Sequence, residues 1–187
     1  MTSTTIRSAG TLGIRAVGAG VAAGLGLLAC ILTANYVTTH FGFIPVGFGL
    51  MATAGTYFAG LTFVLRDSLQ DAFGKKWVLG LIVGGAGLSF LVADPFIAVA
   101  SAVAFLLSEI ADFAVYTPLR ARGYIRAAVA SNVVGSVIDT VVFLNIAGFP
   151  LEEAFAGQML GKLMLTGVVV VLVLSFRAWR AGRKRLG

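Results

Sequence analysis

Residues 96–116 read FIAVASAVAFLLSEIADFAVY. A segment that crosses the hydrocarbon layer needs about 20 mostly apolar residues, and this stretch has them. It also carries two carboxylates, Glu109 and Asp112. An acid at mid-membrane costs about 2.5–3.5 kcal/mol on insertion scales, so such a residue lines a cavity or finds a partner. The stretch therefore reads as a membrane helix with one polar face turned away from lipid.

Five further stretches resemble it: Ile14–Val37, Val46–Leu65, Trp77–Ala93, Tyr124–Ala147 and Ala154–Phe176. They are too long, and too free of alternation, to be barrel strands. Of the 187 residues, 58% are hydrophobic and 12% charged, whereas soluble domains run at about 45–50% apolar and 25% charged. Mean hydropathy is +0.96. Such a chain cannot coat a soluble globule, which excludes a soluble enzyme, a disordered chain and a nucleic-acid-binding domain. The expected fold is an all-α integral membrane protein, a bundle of six transmembrane helices. Residues 1–13 form an N-terminal arm, 14–176 the transmembrane domain and 177–187 a basic tail. No cleaved signal peptide is expected, because Met1 to Arg15 lacks a short apolar core before a small-residue cleavage site.

Charge gives the orientation. Lys and Arg together number 14. All but Lys162 fall on one side if six helices alternate: the arm (Arg7, Arg15), the loop after span two (Arg66, Lys75, Lys76), the loop after span four (Arg120, Arg122, Arg126) and the tail. The opposite loops hold His40, Asp94, Glu152 and Glu153. By the positive-inside rule both termini are cytoplasmic, in a multi-pass protein of the inner membrane.

The polar residues within spans recur at helical spacing. Ser101, Ser108, Glu109, Asp112 and Tyr116 share one side of span four; Asn132, Ser136 and Asp139 fall at i, i+4 and i+7 of span five; Gln158 and Lys162 are i, i+4 in span six. Three polar faces most simply meet in one interior. At about 1.5 Å per residue, Asp139 and Lys162 lie level, each about 12 Å from the outer end of its helix. They can form an ion pair, either as a packing element or as a substrate contact. Glu109 has no cation at its estimated depth and reads as functional. Asp112 lies deeper, where it either joins the site or meets Arg120 or Arg122 as an anchor. Asn132 and Ser136 can equally be interhelical hydrogen bonders. Arg66 and Asp67, at the membrane edge, and Arg120 are candidates for a gate or cytoplasmic latch. The stretch 66–76 otherwise reads as a solvated turn, with Gly74 as a helix stop.

No Walker motif, no glycine-rich strand-to-helix loop and no Cys/His metal spacing occurs, so neither an enzyme nor a cofactor or metal site is expected. Cys30 is the lone cysteine; it can form no intrachain disulfide and reads as a packing residue. Gly20-x-x-x-Gly24 reads as close helix packing within the chain, and a homodimer stays open.

The order of the motifs resembles a known family. Asn35 closes span one, Arg66-Asp67 precedes Gly74, and Ser108-Glu109-x-x-Asp112 is followed by Arg120. Ser131-Asn132-x-x-Gly135-x-x-x-Asp139-Thr140 is followed by Phe143, and Lys162 lies in span six. This is similar to the queuosine-precursor transporters, also called vitamin uptake transporter-like proteins, over roughly residues 30–175. The resemblance implies uptake of 7-deazaguanines such as 7-cyano-7-deazaguanine. It places Asp at 112 and 139 and Lys at 162, with Gln or Glu at 109. The substrate-binding residues it suggests, with the polar stripes, are Asn35, Glu109, Asp112, Asn132, Asp139, Gln158 and Lys162. A carboxylate accepts from the N–H and amino group of a guanine-like edge together, while Asn, Gln or Lys donates to its carbonyl. The expected partners are this small molecule and membrane lipid, with no nucleic acid. Two other readings stand beside it: the substrate-binding subunit of an energy-coupling-factor vitamin importer, and a proton or small-ion pathway. With no ATPase motif, the drive for a stand-alone transporter is an ion gradient or trapping of the substrate inside.

Overall fold

The structure is a computed structural model and describes residues 3–183. In chain order the elements are α1 (Ser3–Phe41), β1 (Phe43–Gly47), β2 (Leu50–Thr53), α2 (Thr56–Phe73), α3 (Lys75–Ser89), α4 (Pro95–Arg120), α5 (Tyr124–Ile146) and α6 (Leu151–Arg183). Among the described residues there are six helices. Three stretches, Val17–Phe41, Pro95–Leu119 and Val129–Ile146, are long and apolar enough among the described residues to cross a membrane.

Several boundaries differ from the sequence reading. Helix α1 runs unbroken from Ser3 through Phe41, and α6 continues through Arg183. Lys184 and Arg185 lie outside the described residues. His40 belongs to the last turn of α1 rather than to a loop; its ring lies 4.1 Å from that of Tyr36. The Asp94-Pro95 break is where expected. Asp94 caps α4, accepting from the Phe96 N–H at 2.8 Å, with Pro95 in the first turn where its missing N–H costs nothing.

The largest correction concerns the second span. Val46–Leu65 is not one helix: β1 and β2 form an antiparallel hairpin with Phe43 opposite Thr53 and Pro45 opposite Met51. The turn Gly47-Phe48-Gly49 has positive φ throughout, a conformation that glycine adopts freely and that no helix continues. The fold is therefore mostly helical with one hairpin, not purely α. The hairpin sits against α6, where Gly157 faces the backbone of Met51 so closely that any side chain would collide with the Met51 carbonyl.

Because α2 starts only at Thr56, it extends to Phe73, and Arg66 through Phe73 form helix instead of a solvated turn. Gly74 does stop it, at φ 84°, and its N–H returns to the Gln70 carbonyl. One part of the apolar core is Ala23, Leu27 and Ile31 of α1, Leu69 of α2, Val78 and Ile82 of α3, and Phe105 of α4. Gly20 and Gly24 lie against Ala72 and Phe73 and against Leu69 and Leu81, so this small-residue motif brings α1 onto α2 and α3 of its own chain.

Candidate functional site

Two polar compartments lie inside the bundle, one above the other. The upper is a small cavity of about 40 Å³ beneath the hairpin, room for about three waters. Helix α1 contributes Asn35 and Thr38, the hairpin and the start of α2 contribute Thr53, Thr56 and Thr62, α4 contributes Ser101 and Phe105, α5 contributes Asp139 and Phe143, and α6 contributes Gln158 and Lys162.

The ion pair expected between α5 and α6 is at its centre. Lys162 Nζ donates to Asp139 Oδ2 at 2.6 Å and to Thr140 Oγ1 at 2.8 Å. Lys162 is 2% exposed, and an ammonium so placed is tolerable only because it is paired and hydrogen-bonded. One helical turn before it, Gln158 Nε2 donates to Thr53 Oγ1 at 2.9 Å, and Thr53 meets Thr56 at 3.2 Å. Asn35 Nδ2 donates to Ser89 Oγ of α3 at 2.9 Å, and Ser89 in turn donates to the Gly85 carbonyl. Among the described residues, these contacts leave Asp139 Oδ1, Gln158 Oε1 and Asn35 Oδ1 without a hydrogen-bond donor. An ammonium has three donors, so Lys162 retains one N–H beyond its two bonds. The cavity is thus rich in acceptors, with one strong donor among them.

Glu109, Asp112 and Asn132 are not in this cavity, so the single interior expected from the three stripes is divided. Below it, the rings of Phe63 and Phe105 lie stacked with centroids 6.0 Å apart. Next to them Arg66 forms a buried ion pair with Glu109; the two are 4% and 5% exposed. Arg66 also holds Asp67 at 3.0 Å and approaches Asp112 at 3.8 Å. Glu109 therefore does have a cation at its depth, contrary to the sequence reading, and Asp112 faces Arg66. The side chain of Arg120, the third latch candidate, lies outside the described residues. Beneath this layer opens a vestibule of about 200 Å³ lined by Arg66, Asp67, Asp71, Lys75, Asp112, Tyr116 and Asn132. Lys75 caps it, its ammonium 2.9 Å from the centre of the Phe113 ring.

Three aromatic rings close the opposite end. Phe43 of the hairpin meets Phe149 edge-on at 5.0 Å, and Phe149 lies 6.2 Å from Phe143. Phe143 lines the cavity on this side and Phe105 on the other. The residues that sequence reasoning missed are the hydroxyls, Thr38, Thr53, Thr56, Thr62, Thr140 and Ser89. Thr140 adjoins Asp139, and Thr53 and Thr56 are three residues apart, but threonine is common in apolar segments and such a spacing alone picks nothing out.

Residues 90–179 match the family model described as "Putative vitamin uptake transporter". The matched segment covers α4, α5 and most of α6, and with them Glu109, Asp112, Asn132, Asp139, Gln158 and Lys162. Asn35, the hairpin and Arg66 lie outside it. No curated protein and no solved structure matches the chain. The chain thus combines membrane-length apolar helices with similarity to transporters, over a segment that includes Ser101, Phe105, Asp139, Phe143, Gln158 and Lys162 of the cavity wall.

Proposed function

We propose that the chain is an inner-membrane transporter that imports queuosine precursors, 7-deazaguanines such as 7-cyano-7-deazaguanine, and holds the base in the upper cavity. The observation that carries this reading is the set of unused hydrogen-bonding groups there. A ligand that meets Asp139 Oδ1, Gln158 Oε1 and Asn35 Oδ1 must be rich in donors, and one that takes the remaining Lys162 N–H must also present an acceptor. The edge of a guanine-like base has an N–H, an amino group and a carbonyl in a row, and so offers both. Phe105 and Phe143 give planar faces against which such a ring stacks.

The binding set is therefore Asn35, Asp139, Gln158 and Lys162. Glu109, Asp112 and Asn132, with Arg66 and Asp67, belong to the closure and the vestibule beneath. The six-span topology with cytoplasmic termini is part of the same reading: the hairpin and the apolar start of α2, Thr56 to Leu65, together make the second crossing, and Arg66, Lys75 and Lys76 mark the inner side.

The cavity is smaller than the ~300–1,000 Å³ of ordinary ligand pockets. Binding consequently requires the bundle to loosen around the base, as expected of a carrier that closes over its cargo. In cells lacking their own uptake system, expression of this chain should give accumulation of radiolabelled 7-cyano-7-deazaguanine. Unlabelled 7-deazaguanine should compete and adenine, whose edge exchanges donor for acceptor, should not. No accumulation from correctly inserted protein would refute the assignment.

A further inference from the structure

A third space lies beside the two compartments, a groove of about 310 Å³ between α2, α5 and α6. It is lined by Phe63, Asp67 and Asp71 of α2, Ser136 of α5, and Lys162 and Thr166 of α6, among others. Lys162 also lines the upper cavity, while Asp67, Asp71 and Asn132 also line the vestibule. The groove therefore borders both compartments, alongside the layer of Phe63, Phe105, Arg66 and Glu109. Lys162 is the residue that stands between cavity and groove.

The helices explain why the groove opens where it does. At Gly60, α2 touches the backbone of α6: a Cβ there would lie 3.1 Å from Lys162 Cα. Gly161 makes the neighbouring contact, against Thr56. Beyond Gly60 the residues of α2 are larger, and Val64 and Ser68 face Leu163, Thr166 and Val169 across open space.

We propose that Lys162 is the door between the cavity and this groove, and that Asp139 is its latch. The proposal deepens the transport reading and rests on it for the identity of the cargo. A base that donates two N–H groups to Asp139 competes for Oδ2, the oxygen that holds the ammonium. Once released, the ammonium meets carboxylates on the groove side, where Asp67 and Asp71 line the wall. Asp67 lies seven residues beyond Gly60 on α2, about 10 Å along the helix. Its carboxylate is held by Arg66 but its side chain is 53% exposed, so it has room for a second cation. Movement of Lys162 toward it clears the wall between cavity and groove. The base first docks on Asp139 Oδ1 and the free Lys162 N–H; when it takes Oδ2 as well it gives up the lysine, so its tighter hold on Asp139 and the opening of its exit use the same carboxylate.

The test uses full-length protein in detergent and a small polar thiol reagent. A reporter cysteine is placed in the cavity by Ser101→Cys on a Cys30→Ala background. Its labelling should be slow with the latch intact and about tenfold faster after Asp139→Asn, the size of change that a local opening made easier by about 1.4 kcal/mol produces. Adding Thr166→Phe, which fills the groove and does not line the cavity, should return the rate to its starting value. Cys30, buried in α1 and lining neither space, reports global unfolding, which Asp139→Asn also favours; in otherwise native protein its rate with Asp139→Asn should stay far below that of the cavity cysteine. An unchanged Ser101→Cys rate, a fast rate that survives Thr166→Phe, or a Cys30 rate as fast as that of the cavity cysteine would each overturn the proposal. The outcome is independent of cargo, so a failed uptake assay with positive labelling would remove the deazaguanine assignment and leave the door in place.

Discussion

Asp139→Asn should be among the most damaging single changes in the protein, lowering its stability by about 3–5 kcal/mol through the unpaired ammonium it leaves. Lys162 is fully enclosed and keeps only Thr140 as a partner once the carboxylate is gone. Replacing both members, Asp139→Asn with Lys162→Met, removes the charge altogether and should recover most of the loss, since an apolar substitute in such a site is often neutral. Neither variant should transport, because each lacks the carboxylate proposed to hold the base. Thermal unfolding in detergent checks the first part and uptake the second. A double variant less stable than either single change would show that the pair is not what couples the two sites.

The second large effect is expected at Arg66. It is the one cation bonded to Glu109 among the described residues, and Arg66→Met should cost about 3–5 kcal/mol by leaving that carboxylate buried without a counter-charge. Arg66→Lys should rescue little, because a single ammonium cannot reproduce the guanidinium's simultaneous contacts with Glu109 and Asp67 and its approach to Asp112. Glu109→Gln is the mild change. Arg66 keeps Asp67 and Asp112, a neutral acceptor replaces a charged one, and the loss should be about 1.5 kcal/mol with uptake weakened but surviving. The measurement is the unfolding temperature of each variant in the same detergent, with uptake alongside. Equal losses in Arg66→Met and Glu109→Gln would contradict the asymmetry.

The contrast between these two pairs shows what could be read in the sequence. Asp139 and Lys162 lie on helices joined by a short connection, so counting residues from that connection placed both at one depth, and the structure joins them. The same counting does not find a partner for Glu109, because the sequence places Arg66 in a loop at the membrane edge. Val46–Leu65 is apolar enough to read as one helix, which put Arg66 just past its end. An apolar run does not by itself distinguish strand from helix, and the alternation of glycines at 42, 47 and 49 was the signal for a hairpin. With α2 beginning at Thr56, Arg66 sits within the helix, opposite Glu109.

The division of the site has a similar cause. Helix α4 has 26 residues, about 39 Å at the usual rise. A polar stripe along it passes Ser101 in the cavity and Tyr116 in the vestibule. Periodicity shows that such residues share a side, but it carries no information on how many spaces that side borders. Asn35 and Gln158, by contrast, were legible as polar groups in apolar helices, and both line the cavity.

The central claim is that the upper cavity, and not the vestibule, holds the ligand. Equilibrium binding of radiolabelled 7-cyano-7-deazaguanine to purified protein tests this directly, with Gln158→Met and Asp112→Asn compared with the native chain. Gln158 loses its acceptor inside the cavity, so binding should weaken about tenfold, the value of one hydrogen bond to a buried ligand. Asp112 lines only the vestibule, so Asp112→Asn should bind as tightly as the native protein. The reverse pattern, native affinity in Gln158→Met and lost affinity in Asp112→Asn, would place the ligand below the Phe63–Phe105 stack and contradict the account.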